Sequence, residues 1–201
     1  MDKKLIIPAI GLVAILLLSR KGQTTTTLST FYSDRGKIPT NNNGFMPISG
    51  TIWSSDDSYL GTNAPRGIRN NNAGNIKISN SNWVGKIQFI DNTDGVFEQF
   101  DQYIYGVRAM IILLRNYATI YGDNTINAII NRYSPDPNKE NYKSFVSTFT
   151  GFPINQPLDL QNKDTMRSLV QAMTRFENGR ILSDPIEVVT IDQFNNAYNI
   201  A

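Results

Sequence analysis

The stretch QYIYGVRAMIILLRNYATIYG, residues 102–122, constrains this chain more than any other. Ile104, Val107, Met110, Ile111, Leu114, Ala118 and Tyr121 recur near a 3.6-residue period, and apolar residues fill most of the other faces as well. A helix that is hydrophobic nearly all round must be covered on nearly all sides. The segment therefore predicts a central helix, ended by Gly122, with the rest of a domain wrapped about it. The candidates to cover it follow in order. Asn124-Thr125 caps a short helix through Ile126, Ile129, Ile130 and Tyr133, which Ser-Pro-Asp-Pro stops. Residues 140–149 place Tyr142, Phe145, Val146 and Phe149 on one side of a third helix. Asp164 caps a fourth, MRSLVQAMTRFENG, with Gly179 just past its end. Thr190 with Gln193 has the spacing of a capping box for the last helix. Upstream, residues 75–90 alternate, with a turn at Asn-Trp-Val-Gly, and predict one hairpin, about Asn75–Ser79 with Gly85–Ile90. The expected fold class is α+β, a small β-hairpin followed by five helices.

The N-terminal third has a different character. Residues 5–19, LIIPAIGLVAILLLS, are uncharged and apolar, between Lys3-Lys4 and Arg20-Lys21. As a helix they would span about 22 Å at ~1.5 Å per residue, short of a hydrocarbon core of about 30 Å. Snorkelling basic side chains or local bilayer thinning would close the gap. A single-pass membrane anchor over residues 1–22 is the expectation, with a cleaved signal peptide as the competing reading. Basic residues on both flanks leave its orientation open. Residues 23–60 are rich in Thr, Ser and Asn and read as a polar tether, and residues 61–201 as the folded domain. Residues 1–22 carry a net charge of +3, so the remainder, with 15 basic and 16 acidic side chains, is near neutral. That body lacks the basic face of a nucleic-acid binder.

There is no cysteine and no histidine. Thiolate chemistry, Ser-His and Cys-His catalysis and the usual His-containing zinc sites are thereby excluded. Carboxylate-driven glycoside cleavage remains open, because it needs no histidine. No D-x-D-x-D-G loop or other metal constellation is present, and no cofactor is implied.

Two features stand out as chemistry. Residues 66–77, RGIRNNNAGNIK, pack three consecutive asparagines, two glycines and three cations into twelve residues. Asn and Gly accept left-handed backbone angles, and a row of amides suits a polyhydroxylated or N-acetylated ligand. The plain alternative is a tight loop before a strand. The second feature is Glu177, which continues the apolar stripe of Met166, Leu169, Val170 and Met173. It lies in the last turn of its helix, where the dipole disfavours negative charge by about 0.3–1 kcal/mol. Burial and dipole would both raise its pKa, as a general acid of glycoside cleavage requires. The alternative is a frayed helix end with Glu177 in water or paired with Arg175 or Arg180. Glu98, opposite in facing to Phe97, and Glu140, at a helix start, are weaker catalytic candidates; solvent exposure and capping are their default roles.

The order GIRNNNAGNIK, W-x-G, F-x-x-F, GVRA with a long helix, TINAIINRYSP, EN-x-x-x-F and AMTRFENG resembles a family of small phage virion proteins over about residues 66–201. The first motif in that family usually reads Arg-Asn-Asn-Asn-Pro-Gly-Asn-Ile; Ala73 stands here where proline is usual. More distantly, NNAGNIK followed by W-x-G is similar to a segment of bacterial wall glucosaminidases, and AMTRFENG looks like the Glu-bearing helix end of lytic transglycosylases. Here that helix end comes last instead of first, which would fit a circularly permuted lysozyme-like domain. The resemblance implies a membrane-anchored, virion-associated lytic transglycosylase or muramidase acting on peptidoglycan glycan strands. Glu177 would be its acid/base. Asn70, Asn71, Asn72 and Asn75 would line the saccharide groove, with Trp83 and Tyr103 as sugar platforms. It would sit in a virion membrane or the bacterial inner membrane, held through residues 5–19, beside other virion proteins. The competing reading is a non-enzymatic virion protein with a lysozyme-like or wall-binding domain.

Overall fold

Residues 58–137, 139–180 and 187–201 are described by a computed structural model, and among them the regular secondary structure is helical apart from isolated β-bridges. The anchor expected over residues 5–19 and nearly all of the expected tether lie outside the described residues. Among the described residues, no helix is long and apolar enough to cross a membrane.

A single turn of helix, α1 (Arg66–Arg69), opens the Asn-rich stretch. The long apolar segment forms α2 (Tyr103–Tyr121), closed by Gly122 in the left-handed conformation at φ 72°. Ile104, Val107, Met110, Ile111 and Leu114 are buried on it. Its far end is not covered: Ile120 is 66% and Tyr121 56% exposed. Next comes α3 (Ile126–Tyr133), where the Thr125 hydroxyl accepts the Ala128 N–H, as its position before the Ile run predicts. Then come α4 (Lys139–Thr150), α5 (Lys163–Glu177) and α6 (Ile191–Asn199). The cap of α5 is Asn162, whose side chain accepts from the Asp164 and Thr165 N–H groups. Asp164, expected as the cap, instead sits in the first turn, where its charge faces the positive end of the dipole. The Thr190–Gln193 capping box of α6 forms as the spacing predicts, both bonds present.

The central position of α2 follows from its composition. It packs against both α5 and α6, while α5 leans on α4 and α4 on α3. Met166, Leu169, Val170 and Met173 of α5 are fully buried, as are Ile126, Ile129 and Ile130 of α3 and Phe194 of α6. Burial of each such side chain contributes about 1.5–3 kcal/mol.

The expected hairpin is replaced by a different pairing. The segments around Lys77 and Lys86 do not pair with each other; each makes an isolated antiparallel bridge to a later piece, Lys77 to Phe97 and Lys86 to Phe100. The Glu98 N–H donates to the Ile76 carbonyl on one side, at 2.8 Å. The Ile87 N–H donates to the Gln99 carbonyl on the other, also at 2.8 Å. Residues 96–101 therefore lie between the two segments that alternation alone would join, and the domain is mainly helical. The reason is local. The Trp83–Lys86 turn forms, with Gly85 at φ 70°. The chain around it is held by the Lys86 ammonium, which donates to the Ser79 and Ser81 carbonyls and pairs with Glu98.

Candidate functional site

The Asn-rich stretch is an internal brace. Asn71 and Asn75 take left-handed backbone angles, φ 52° and 50°, which Asn tolerates better than most side chains. The Asn71 side chain is fully buried. Its Oδ1 accepts the Tyr59 N–H at 2.8 Å, and its Nδ2 donates to the Phe100 and Asp101 carbonyls and the Ser58 hydroxyl. Asn72 imitates a strand neighbour: its amide exchanges both bonds with Ile76, at 2.9 Å each, and donates to the Glu98 carbonyl. Asn70 donates to Asp94 and accepts from Gln99. Asp94 also takes Arg66 in a two-pronged ion pair at 2.8 Å, and that guanidinium is the main reason its carboxyl is held well below the usual range. The amides of Asn70, Asn71 and Asn72, expected as groove lining, are thus engaged inside the protein. The two glycines that matter here allow close approach. A Cβ on Gly106 of α2 would stand 1.9 Å from the Asn71 carbonyl oxygen, and one on Gly67 2.7 Å from Asn178 Oδ1.

The end of α5 closes on this brace. Asn178 accepts the Ile68 N–H at 3.2 Å and donates to the Ala73 and Thr174 carbonyls. Asn75 Nδ2 donates to the Glu177 carbonyl at 2.8 Å and to Glu177 Oε2 at 3.3 Å. The two features singled out in the sequence, 102 residues apart, are therefore in direct contact. The Tyr142 hydroxyl, which donates to the Met173 carbonyl at 3.5 Å, also lies close enough to the Glu177 carboxyl to lower its pKa. Burial raises its pKa above the ordinary value, and the hydrogen bonds from Tyr142 and Asn75 oppose that shift without cancelling it. Tyr142 is itself buried and stacked on Phe176, with ring centres 3.9 Å apart; burial pushes its phenol up, and the Glu177 charge pushes it further. Tyr133 donates its hydroxyl to the Gly74 carbonyl, and its phenol is raised by burial and by Glu177 as well. The result is one carboxyl of raised proton affinity beside the Asn75 amide and near the Tyr142 and Tyr133 phenols, with no second carboxylate in contact with it among the described residues.

The remaining candidates lie elsewhere. Tyr103 is buried, edge-on to Tyr59 at 5.2 Å, with its hydroxyl donating to the Val188 carbonyl, so it presents no face to a sugar. Trp83 is partly buried against the core. Glu98, expected in solvent, is fully buried in an ion pair with Lys86 at 2.9 Å and accepts from Ser79. Glu140 is exposed in the first turn of α4 and pairs with Lys143. Among the described residues, no group of three or more acidic side chains could hold a metal ion. Sequence reasoning missed Asn178 and Tyr142. Asn directly after Glu at a helix end was the only sign of the first, and Tyr142 read as one more apolar residue of its helix.

These features define a small helical domain in which an asparagine brace is locked to a helix end that carries a solitary, partly buried glutamate. No protein-family model matches the chain. It is 40% identical over 121 residues, 58% of its own length and 72% of the other's, to protein P5 of Pseudoalteromonas phage PM2. The chain belongs to the family of that phage protein. The resemblance to phage proteins read from its motifs holds at that level.

Proposed function

We propose that this chain is a structural component of a phage virion whose domain is a lysozyme-like scaffold directed at the bacterial wall without cutting it. The observation that carries this reading is the engagement of Asn70, Asn71 and Asn72 inside the fold. Their amides support the Ser58 hydroxyl, the Tyr59, Ile76, Glu98, Phe100 and Asp101 backbone and the Asp94 turn, so they serve architecture in place of substrate. Kinship with a phage protein agrees with it. Its partners are then other virion proteins and wall glycan, and residues 5–19 remain the candidate membrane anchor.

A second reading is favoured by one specific observation, the raised proton affinity of Glu177 beside Asn75 and Tyr142. In it the chain is a muralytic enzyme. Glu177 protonates the glycosidic oxygen, and the absence, among the described residues, of a carboxylate nucleophile in contact with it suits attack by the substrate's own hydroxyl. Incubating the purified full-length chain with peptidoglycan and analysing the soluble products by mass spectrometry separates the two. The structural reading expects sedimentation with the wall, no released muropeptides and no change on Glu177→Gln. Release of anhydro or reducing ends that vanishes with Glu177→Gln would establish the enzyme.

A further inference from the structure

The loop between residues 87 and 96 ends in an apolar tip that the fold leaves uncovered. Phe89–Asp91 form a single 3₁₀ turn. On it Phe89 is 70% and Ile90 88% exposed, and Val96, where the loop rejoins the domain, is half exposed. Single exposed apolar residues are ordinary; two large ones side by side on a well-held turn call for an occupant. The turn is held by its polar neighbours. Asn92 Oδ1 accepts the Asp94 and Gly95 N–H groups, both at 2.9 Å, and Asn92 Nδ2 donates to the Phe97 carbonyl. The Thr93 N–H donates to Gln99 Oε1 at 2.8 Å, and Asp94 is tied to Arg66 and Asn70 of the brace. Asn92 and Asp94 thus turn toward the domain while Phe89 and Ile90 turn to solvent. Charges near the tip nearly cancel. Asp91 is exposed beside Ile90, Lys77 is exposed across its bridge to Phe97, and the Arg66 cation is taken by Asp94.

We infer that Phe89 and Ile90 form a membrane-contacting tip that enters the headgroup region of a zwitterionic bilayer, the one that holds residues 5–19 of the same chain. The inference rests on the anchor reading above. Residues 20–57 join that apolar segment to the described domain and span at most about 130 Å even fully extended. A bilayer holding the segment therefore keeps the tip beside it at a local concentration on the order of 0.1–1 mM, where a weak partition is enough. An interfacial contact needs only the apolar side chains themselves, and a second weak signal beside a short anchor makes attachment stable. The loop's own hydrogen bonds set the tip in place beforehand, so little ordering cost opposes insertion. A protein partner is the poorer occupant, because a stable interface covers about 800 Å² on each side and two side chains on one turn fall far short of that. The near cancellation of charge selects zwitterionic over anionic headgroups.

The chain has no cysteine, so one introduced thiol can be labelled alone. The test places an environment-sensitive fluorophore on Ile90→Cys in the full-length chain, reconstituted into phosphatidylcholine vesicles with and without doxyl-labelled lipid. Asn155→Cys, at an exposed loop position between α4 and α5, is the control, and melting curves check each variant. Vesicle flotation reports the anchor separately. The Ile90 label is expected to emit at shorter wavelength than the Asn155 label and to be quenched more strongly by the doxyl lipid; Phe89→Ser in the same chain reverses most of both effects. Phe89→Cys carries the measurement if Ile90→Cys lowers the melting temperature. A chain that floats while its Ile90 and Asn155 labels behave alike overturns the tip and leaves the anchor reading standing. A blue shift at Ile90 without doxyl quenching means that protein, such as a second copy, covers the turn, and overturns the tip as well. A chain that does not float removes the anchor reading, and the tip with it.

Discussion

If the asparagines are a brace, removing one must cost stability on a predictable scale. Asn71→Ala is the cleanest case. The substitution deletes one acceptor and one amide donor that together serve the Tyr59 N–H, the Phe100 and Asp101 carbonyls and the Ser58 hydroxyl. Asn71 and Tyr59 are buried, so water cannot readily replace the lost partner. Leaving one buried N–H unpaired costs about 1–3 kcal/mol, and the bonds lost by the carbonyls add about 1 kcal/mol. Ala at φ 52° adds about 1 kcal/mol more, since it lacks the local tolerance of Asn for that region. The expected loss is about 3–5 kcal/mol out of a typical total of about 5–15 kcal/mol. For a domain of this size that is a fall in Tm of roughly 10–20 °C. Urea unfolding followed by circular dichroism and by Trp fluorescence measures it. Asn71→Gly separates the contributions, because it restores backbone freedom without the hydrogen bonds and should recover about 1 kcal/mol of the loss. A stability loss under about 1 kcal/mol for Asn71→Ala would refute the brace. A normally folded variant with weakened glycan binding would return Asn71 to the ligand.

Two further outcomes concern pH. The folded pKa of Glu177 is raised above its ordinary value of 4.5, so the native state holds the proton more tightly than the unfolded chain. Stability from this group is therefore full below about 4.5 and declines as pH rises through the folded pKa; Glu177→Gln should flatten that decline in a series of urea melts. Asp94 has the opposite sign, since Arg66, then Asn70 and the Phe97 N–H, lower its pKa from 3.8. Its contribution is present above 3.8 and is lost as pH falls through the lower folded value, so Asp94→Asn should be less stable at neutral pH and lose less on acidification. Equal acid sensitivity in both proteins would show that the Arg66–Asp94–Asn70 link carries no stability.

Much of this structure is legible in the chain because its causes are local. The period of residues 104–114 buries α2; Gly122 ends it; Thr125, and Thr190 with Gln193, cap α3 and α6 with hydroxyls that reach only three residues along. The one cap misread, Asp164 for Asn162, lies two residues away, among several polar side chains that could each have served. The extended pieces were harder. Alternation shows that residues 75–90 are extended, but not with whom they pair, since any strand with a free edge satisfies the same pattern. The partner, residues 96–101, comes after a further turn, and the choice is made by Asn72 and Lys86.

The candidate site divides the same way. Sequence alone determined that an asparagine turn and an out-of-place glutamate exist, and that the chemistry, if any, must do without histidine or cysteine. It also fixed the left-handed tolerance that Asn71 and Asn75 use. Only the tertiary structure decided which amides face inward, that Asn178 and Glu177 close on residues 67–75, and that Tyr142 and Tyr133 flank the carboxyl. Those decisions turn on burial and on partners more than one hundred residues away, which local propensity cannot encode. Whether a polar side chain serves the fold or a ligand depends on what stands opposite it in space.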